Sequence, residues 1–478
     1  MHVSFDNGWC THAIFIACIA LIQVPALAAD VAEAVDAGVA AIDENLGTAN
    51  ETIVMASSNE SAMSHGRAQS VVRRSDIDRR LPRSAPDALR YEPGVFVQQT
   101  AHGQAAAFIR GLTGQQTLLL FDGIRLNNST YRQGPNQYFF TLDSRSIESI
   151  DVLRGGASTQ YGSDALGGVV SANPLQPTKG SRDFIVHPSV FLRGATADKE
   201  YGGRAQVELS KENVSFLAGV GGRRAGLLES AGPILNPADG RPTDIPRFAS
   251  DNRSQLGTGF NELTYDGRLV AQLNTSHQLT LAAYGYQQYQ SPRTDQCPPV
   301  AARFDECLMY DEQFRHLVYG AWDGSLGALA KTTRVSLSWQ RQHERRTHSR
   351  PASFVVSRGR DDVDTFGLVA KFGSEEFPLE PWLSASMQYG VDAYFDTVRS
   401  LAWLSFTDID VTVARTRGQY LSESTYLYGG AYVDFEANLW DAIVLRAGGR
   451  VSTISARAPA DRDSGSLAVR RDWQPMVG

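Results

Sequence analysis

Lysine is nearly missing from this sequence. Only 5 Lys stand beside 40 Arg in 478 residues, and the formal net charge is -7. A net-acidic chain lacks the basic field by which nucleic-acid binders hold phosphates. Long apolar runs are missing too. Ala13 to Ala29 is the one stretch approaching membrane length, which excludes a bundle of transmembrane helices. Charged residues, at 20%, fall below the roughly 25% of ordinary soluble domains, while hydrophobic residues reach 42%, too many for a disordered chain. A mean hydropathy of -0.25 with 43 Gly and 17 Tyr leaves one membrane class open. It is the β-barrel, whose strands carry one polar face and never look apolar on average.

Cysteine is scarce as well. Cys10 and Cys18 fall in the apolar stretch Cys10 to Leu27, which reads as the core of a signal peptide over residues 1–28, with Ala26-Leu27-Ala28 as its cleavage site. Met1 to Trp9 holds no Lys or Arg, a departure from that pattern. The rival, an uncleaved anchor, is weakened by Gln23 and Pro25, which shorten the apolar run. Export leaves Cys297 and Cys307, beside Pro298-Pro299. They read as one disulfide closing a loop in an oxidising compartment, since no further metal ligands sit near them. No metal or cofactor is expected.

Residues 29–60 are Ala- and acid-rich with no apolar face and read as a flexible arm, interrupted by the β-prone run Glu51-Thr52-Ile53-Val54-Met55-Ala56-Ser57. From 61 to 175 the texture is that of a compact mixed α/β unit. Val71 to Arg74 reads as a strand, Ser75 as a helix cap ahead of Asp76, and Pro86 as the first turn of a second helix. Strand runs then alternate with Gly turns. In order come Pro93-Gly94-Val95, Ile109-Arg110-Gly111, Leu120-Phe121-Asp122-Gly123-Ile124-Arg125, Ile150-Asp151-Val152-Leu153-Arg154-Gly155, and Tyr161-Gly162-Ser163-Asp164-Ala165 with Gly167-Gly168-Val169 behind it.

Those five spaced motifs together resemble the plug domain of TonB-dependent outer-membrane receptors. The resemblance covers about Glu51 to Val170. It implies that Glu51, Thr52, Ile53, Val54 and Met55 form the TonB box, and that Arg110 and Arg154 hold the plug by salt bridges to carboxylates of the barrel wall. A buried Arg needs such a partner.

Beyond the plug the chain alternates. Leu383, Ala385, Met387, Tyr389, Val391, Ala393 and Phe395 interleave with Ser384, Ser386, Gln388, Gly390, Asp392, Tyr394 and Asp396, and residues 426 to 439 do the same. A lipid face against a lumen face, held in register over a dozen residues, is a tilted membrane strand rather than a short sandwich strand. Strands are expected near 184–198, 201–211, 214–226, 259–273, 277–291, 313–324, 331–346, 362–374, 382–400, 425–440 and 441–456, with a twelfth starting at Asp472. Short turns alternate with long segments at 227–258, 292–312, 347–361, 401–424 and 457–471. The resemblance implies a 22-stranded antiparallel transmembrane β-barrel, a membrane β fold with an N-terminal mixed α/β plug. Residues 184–478 would supply only about its first half, as in a fragment. A small self-closing barrel is the rival.

Three clusters tempt other readings. His343-Glu344-Arg345-Arg346-Thr347-His348 spaces its two imidazoles one residue too far for a zinc-protease helix. Arg341, Arg345, Arg346 and Arg350 read as an outer rim suited to lipopolysaccharide phosphates, an anionic ligand or solvent. Asp361, Asp362 and Asp364 read as an acidic turn before a calcium site.

The resemblance implies energised uptake of a scarce ligand by a monomeric, non-enzymatic outer-membrane receptor. The usual cargo is a ferric siderophore, with cobalamin, haem and oligosaccharide as alternatives and TonB and membrane lipid as partners. The expected apical ligand contacts are Gln99, His102, Gln104, Tyr131, Arg132 and Tyr138, in two polar stretches rich in Gln, Asn and Tyr. A passive porin would lack the plug. A barrel lipase would need a Ser/His pair that no strand specifies.

Overall fold

The computed structural model describes residues 68–112, 114–130, 138–178, 180, 182–243, 247–298, 306–350, 353–440, 442–459 and 469–477. The expected signal peptide, the arm, the box Glu51 to Met55, Tyr131 and Arg132 lie outside these residues.

The first unit is a small mixed sheet. Strands β1 (Ala68–Arg73), β4 (Thr117–Phe121), β5 (Ile124–Arg125), β6 (Ile147–Arg154) and β7 (Gly168–Pro174) take the order β1-β6-β7-β4-β5, while β2 (Val95–Ala101) and β3 (Gln104–Ile109) form a separate hairpin. Strands β4 and β7 are parallel. Their near-continuous apolar runs, Leu118 to Phe121 and Val169-Val170, suit strands covered on both faces. Ile77, Leu89, Leu119, Phe121, Phe139, Phe140 and Val170 pack in one buried cluster.

The helix Arg74–Arg80 starts one residue ahead of the Ser75 cap expected from sequence. Its N-cap is Arg73, whose backbone N–H donates to the Asp76 carboxylate at 3.3 Å. The side chain three residues into the helix therefore satisfies an end that Ser75 does not.

The second unit is a wall of long antiparallel strands. In chain order they are β8 (Ile185–Ala195), β9 (Glu200–Lys211), β10 (Val214–Ala225), the loop pair β11 (Leu228–Glu229) and β12 (Ser254–Gln255), β13 (Phe260–Asn274), β14 (His277–Pro292), β15 (Cys307–Gly324), β16 (Thr332–Ser349), β17 (Val355–Gly373), the short β18 (Phe377–Glu380), β19 (Leu383–Phe406), the short β20 (Val411–Ala414), β21 (Ser424–Leu439), β22 (Ile443–Arg457) and β23 (Val469–Val477). The long strands pair in sequence from β8 to β23. One end of the wall carries short turns, such as 275–276. The other carries the long connections, including 226–259, 293–306 and 407–423.

Alternation decides the two faces. Val391, Phe395, Leu427, Val433 and Phe435 point outward and are exposed, whereas Tyr394, Asp396, Tyr428, Tyr432 and Asp434 point inward and are buried. An apolar outer surface against a polar inner one is stable only with lipid outside. Four strands run farther toward the long-loop end than apolar alternation suggested: β15 begins at Cys307, β16 reaches Ser349, β17 begins at Val355 and β19 reaches Phe406. Asp361, Asp362 and Asp364 consequently lie within β17 rather than in a turn. Backbone pairing persists there because ladder hydrogen bonds need no apolar side chains.

Candidate functional site

The inner face of the wall is lined with arginine at lumen-phase positions, and these side chains meet the plug. The Phe121-Asp122-Gly123 turn brings Asp122 to Arg268 of β13 and Arg334 of β16, each at 2.9 Å, with the Tyr319 hydroxyl donating to the same carboxylate. Burial alone would raise the pKa of Asp122. The two guanidiniums, Arg334 ahead of Arg268, outweigh it and hold the carboxyl well below the usual range.

Asp143 repeats the arrangement. Its neighbours are Arg145 at 2.9 Å and, on β9, Arg204 at 3.6 Å, while Thr264 donates to it at 2.7 Å. Burial is opposed by these two arginines, and the carboxyl falls to about 2. Arg145 also reaches Glu262 of β13 at 3.2 Å.

The β2–β3 hairpin tip is held differently. His102 Nδ1 accepts from the Gly259 backbone N–H at 3.2 Å, which leaves Nε2 to carry the proton and donate to Asp198 at 3.2 Å. Asp198 is fully buried and also lies 3.5 Å from Arg83. Burial first and the Arg83 charge second lower the His102 pKa to about 4, against the pull of Asp198. Protonation would also cost the Gly259 bond, because Nδ1 is already an acceptor there. The tip packs closely. A Cβ on Gly103 would meet the Gln288 side chain at 2.6 Å and the Phe260 ring at 2.9 Å.

A third seam joins the loop after β5 to the far strands. Ser129 N–H donates to Asp396 at 2.6 Å, Asn128 to Gln342 at 3.1 Å and the Tyr138 hydroxyl to Glu344 at 2.7 Å. Arg450 of β22 donates to the Gln160 carbonyl at 3.3 Å. Gly162, at φ +89°, lets the Tyr161-Gly162-Ser163 segment lie against the Tyr428 hydroxyl, where a Cβ would overlap it. At the long-loop end of this seam a cavity of about 300 Å³ opens beside Ser129, Thr130, Val398, Tyr420, Tyr426 and Arg457.

Residues 61–169 match the family model described as the TonB-dependent Receptor Plug Domain. The fold is similar to that of a solved copper transporter, OprC (TM-score 0.65, 12% identity, 85% of this chain and 59% of that one). It is equally similar to the unliganded ferric citrate transporter FecA (TM-score 0.65, 13% identity, 87% and 60%). Residues 61–169 are a TonB-dependent receptor plug domain, and the whole chain shares the fold of those transporters. The vitamin B12 transporter BtuB of Photobacterium profundum is 35% identical over 103 residues, which are 21% of this chain and 16% of that protein. The chain thus spans about three fifths of the length of those solved relatives, and a smaller share of the curated one.

Within this fold the plug-to-wall ion pairs run in both directions, Arg83 and Arg145 of the plug reaching Asp198 and Glu262, but those described do not come from Arg110 or Arg154. Arg154 reaches Glu92 at 4.0 Å and donates to Ser70, both on the plug, and Arg110 is an exposed side chain at φ +51°. Among the described residues the wall supplies much of the positive charge, through Arg204, Arg268 and Arg334, and the plug supplies the carboxylates Asp122 and Asp143. The signal was present in the sequence as Arg at lumen-phase positions of alternating strands.

Of the expected ligand contacts, Gln99 is exposed and accepts from Arg90 at 2.8 Å. His102, Gln104 and Tyr138 are buried and engaged with the wall, Gln104 through Gln313. The open space lies instead beside Ser129 and Thr130, and its wall residues Tyr420 and Tyr426 went unnoticed because they sit in a long loop and at a strand end. Cys297, in the loop after β14, is bonded to Cys307, the first residue of β15, with Cα atoms 4.6 Å apart. His343 accepts or donates to Asp362 at 2.6 Å and Glu312 at 3.0 Å, and His348 meets Glu306 at 3.0 Å.

Proposed function

We propose that this chain serves energised uptake of a scarce polar ligand across the Gram-negative outer membrane, with a ferric siderophore as the first candidate. The observation that carries the reading is the plug seated against the inner wall through buried ion pairs. Breaking such a pair by removing one partner costs about 3–5 kcal/mol, so a plug held by several of them does not open by thermal motion alone. An external force is needed, and the run Glu51 to Met55 is the place for TonB to add a strand by β-augmentation.

The long-loop end then faces the outside. Ligand enters the hydroxyl-rich cavity beside Ser129, Thr130, Tyr420 and Tyr426, a setting that offers hydrogen bonds and aromatic surface to a polar chelate. The relatives' names include ferric citrate, copper and vitamin B12 transporters, and the ferric yersiniabactin uptake receptor FyuA of Yersinia pestis shares the fold at TM-score 0.56. Cobalamin, haem and oligosaccharide stand behind the siderophore as cargoes. The deciding experiment is uptake of a labelled ferric siderophore panel before and after collapse of the proton-motive force. Uptake that stops supports the reading, and uptake that persists makes the chain a passive pore. A pull-down in which TonB binds the arm equally well with Ile53→Pro refutes the box.

A further inference from the structure

Where the helix Arg74–Arg80 and the chain after it meet β8, β10 and β13, plug and wall do not close completely. A cavity of about 30 Å³ remains, lined from the plug by Arg74, Arg83, Ser84 and Arg145 and from the wall by Arg193 and Arg223. Such a space admits one or two water-sized bodies. Five arginines border it, against the three carboxylates Asp78, Asp143 and Glu262.

Most of the arginine donors are used locally. Arg74 donates to Asp78 and to the carbonyls of Ser144, Arg145 and Ile147. Arg145 is held by Asp143 and Glu262, while Arg193 lies 2.8 Å from Glu200 and donates to the Pro82 carbonyl at 3.0 Å. One terminal nitrogen of Arg223 donates to Glu262 at 2.6 Å and to the Arg83 carbonyl at 2.7 Å. What remains is donor capacity. The Arg223 Nε and the Ser84 hydroxyl are buried without a partner, on side chains more than nine-tenths buried. The Arg83 guanidinium pairs with Asp198 at 3.5 Å, at the limit of a hydrogen bond.

A buried guanidinium N–H can neither accept nor lose its proton, so leaving it unpaired is costly. Water would satisfy it, but a water must also place two hydrogens. The lining carboxylates are already engaged: Asp143 by Arg145 and Thr264, Glu262 by Arg145, Arg223 and Tyr286, and Asp78 by Arg74. Asp198 and Glu200 each keep an oxygen without a hydrogen bond, yet neither lines the cavity. A body that only accepts therefore fits this space better than one that must also donate.

We propose that this cavity binds a monatomic anion, chloride in ordinary media, which bridges Arg83 and Ser84 of the plug to Arg223 of the wall. The volume excludes phosphorylated and other organic anions. The ion makes the seating of this edge of the plug depend on the surrounding salt. The proposal rests on the plug-to-wall contact and is independent of what the chain transports.

The test uses the full chain in detergent. Crystals soaked in sodium bromide should show an anomalous peak between Ser84 and Arg223. In solution, replacing sodium chloride by sodium gluconate at equal ionic strength should lower hydrogen-exchange protection of Ile77 to Leu89. The expected loss is about fivefold where chloride stood at about four times its dissociation constant. Leu118 to Phe121 should keep their protection, and Arg83→Gln/Ser84→Ala should be insensitive to the exchange of salts. No bromide peak together with equal protection in the two salts means that water fills the cavity, and overturns the proposal. A bromide peak without a change in protection marks an adventitious ion only, and also overturns it. So does a loss shared equally by Leu118 to Phe121, or a variant as chloride-sensitive as the wild type.

Discussion

Two of the places where the plug meets the wall are both buried and are held differently. At the Phe121-Asp122-Gly123 turn, one carboxylate sits between two arginines. At the hairpin tip, a neutral imidazole links the Gly259 backbone to Asp198. The first contact depends on charge that stays fixed across ordinary pH. The second depends on the absence of charge, and that absence has to be maintained by burial. The deep contact resists opening, and the tip can be released by a small chemical change.

The comparison breaks most severely at Asp122. Replacement by Ala leaves Arg268 and Arg334 buried without their partner and should cost about 3–5 kcal/mol in local opening, read as lost hydrogen-exchange protection of Leu118 to Phe121. Protection unchanged from wild type would mean that the ion pairs do not hold the plug.

Next comes the loop that braces the tip. Thr294 N–H donates to the Thr100 carbonyl at 3.1 Å, and Cys297–Cys307 closes that loop. Cys297→Ser/Cys307→Ser should relax the loop by about 3 kcal/mol on the chain-entropy account. Proteolysis within 293–306 should accelerate and protection at the tip should fall, with the Asp122 turn unaffected. A parallel loss at both places would show that they are one cooperative unit. The smallest effect is expected at Arg79, whose pair with Asp76 is solvent-exposed on the Arg79 side. Arg79→Ala should change thermal stability by less than about 0.5 kcal/mol and leave both contacts alone.

Strand positions were legible because an apolar face repeats every second residue from Leu383 to Phe395. They became illegible where the alternation stops, as from Ser357 to Asp361, where both faces turn polar, and from Leu401 to Phe406, where both are largely apolar, although the ladder continues through both. The plug was legible through its spaced Gly motifs. One of them, Phe121-Asp122-Gly123, contained the anchoring carboxylate, but nothing in a single sequence says that Asp122 meets Arg334, 212 residues later. Arg154 was expected as an anchor on the resemblance alone. Its partners Glu92 and Ser70 come from the same small sheet, so the local solution satisfied it first. His102 was legible as an apical residue and misjudged as a ligand contact, since burial depends on strands more than ninety residues downstream.

The most direct test is hydrogen exchange on the ligand-free full chain at pH 7.5 and pH 5, corrected for intrinsic rates, comparing Ala101 to Gln104 with Leu118 to Phe121. His102 has a folded pKa of about 4 against an ordinary 6.5, so the open state binds the proton more readily. The closed tip is fully favoured above pH 6.5 and loses about 2 kcal/mol by pH 5. Asp122, held below its ordinary range, stays ionised at both values, and its contribution is lost only in stronger acid. The account predicts that the tip loses protection at pH 5 while the Asp122 turn keeps it, and that His102→Asn removes the difference. Equal loss at both places, or a tip that is insensitive to pH, would contradict it.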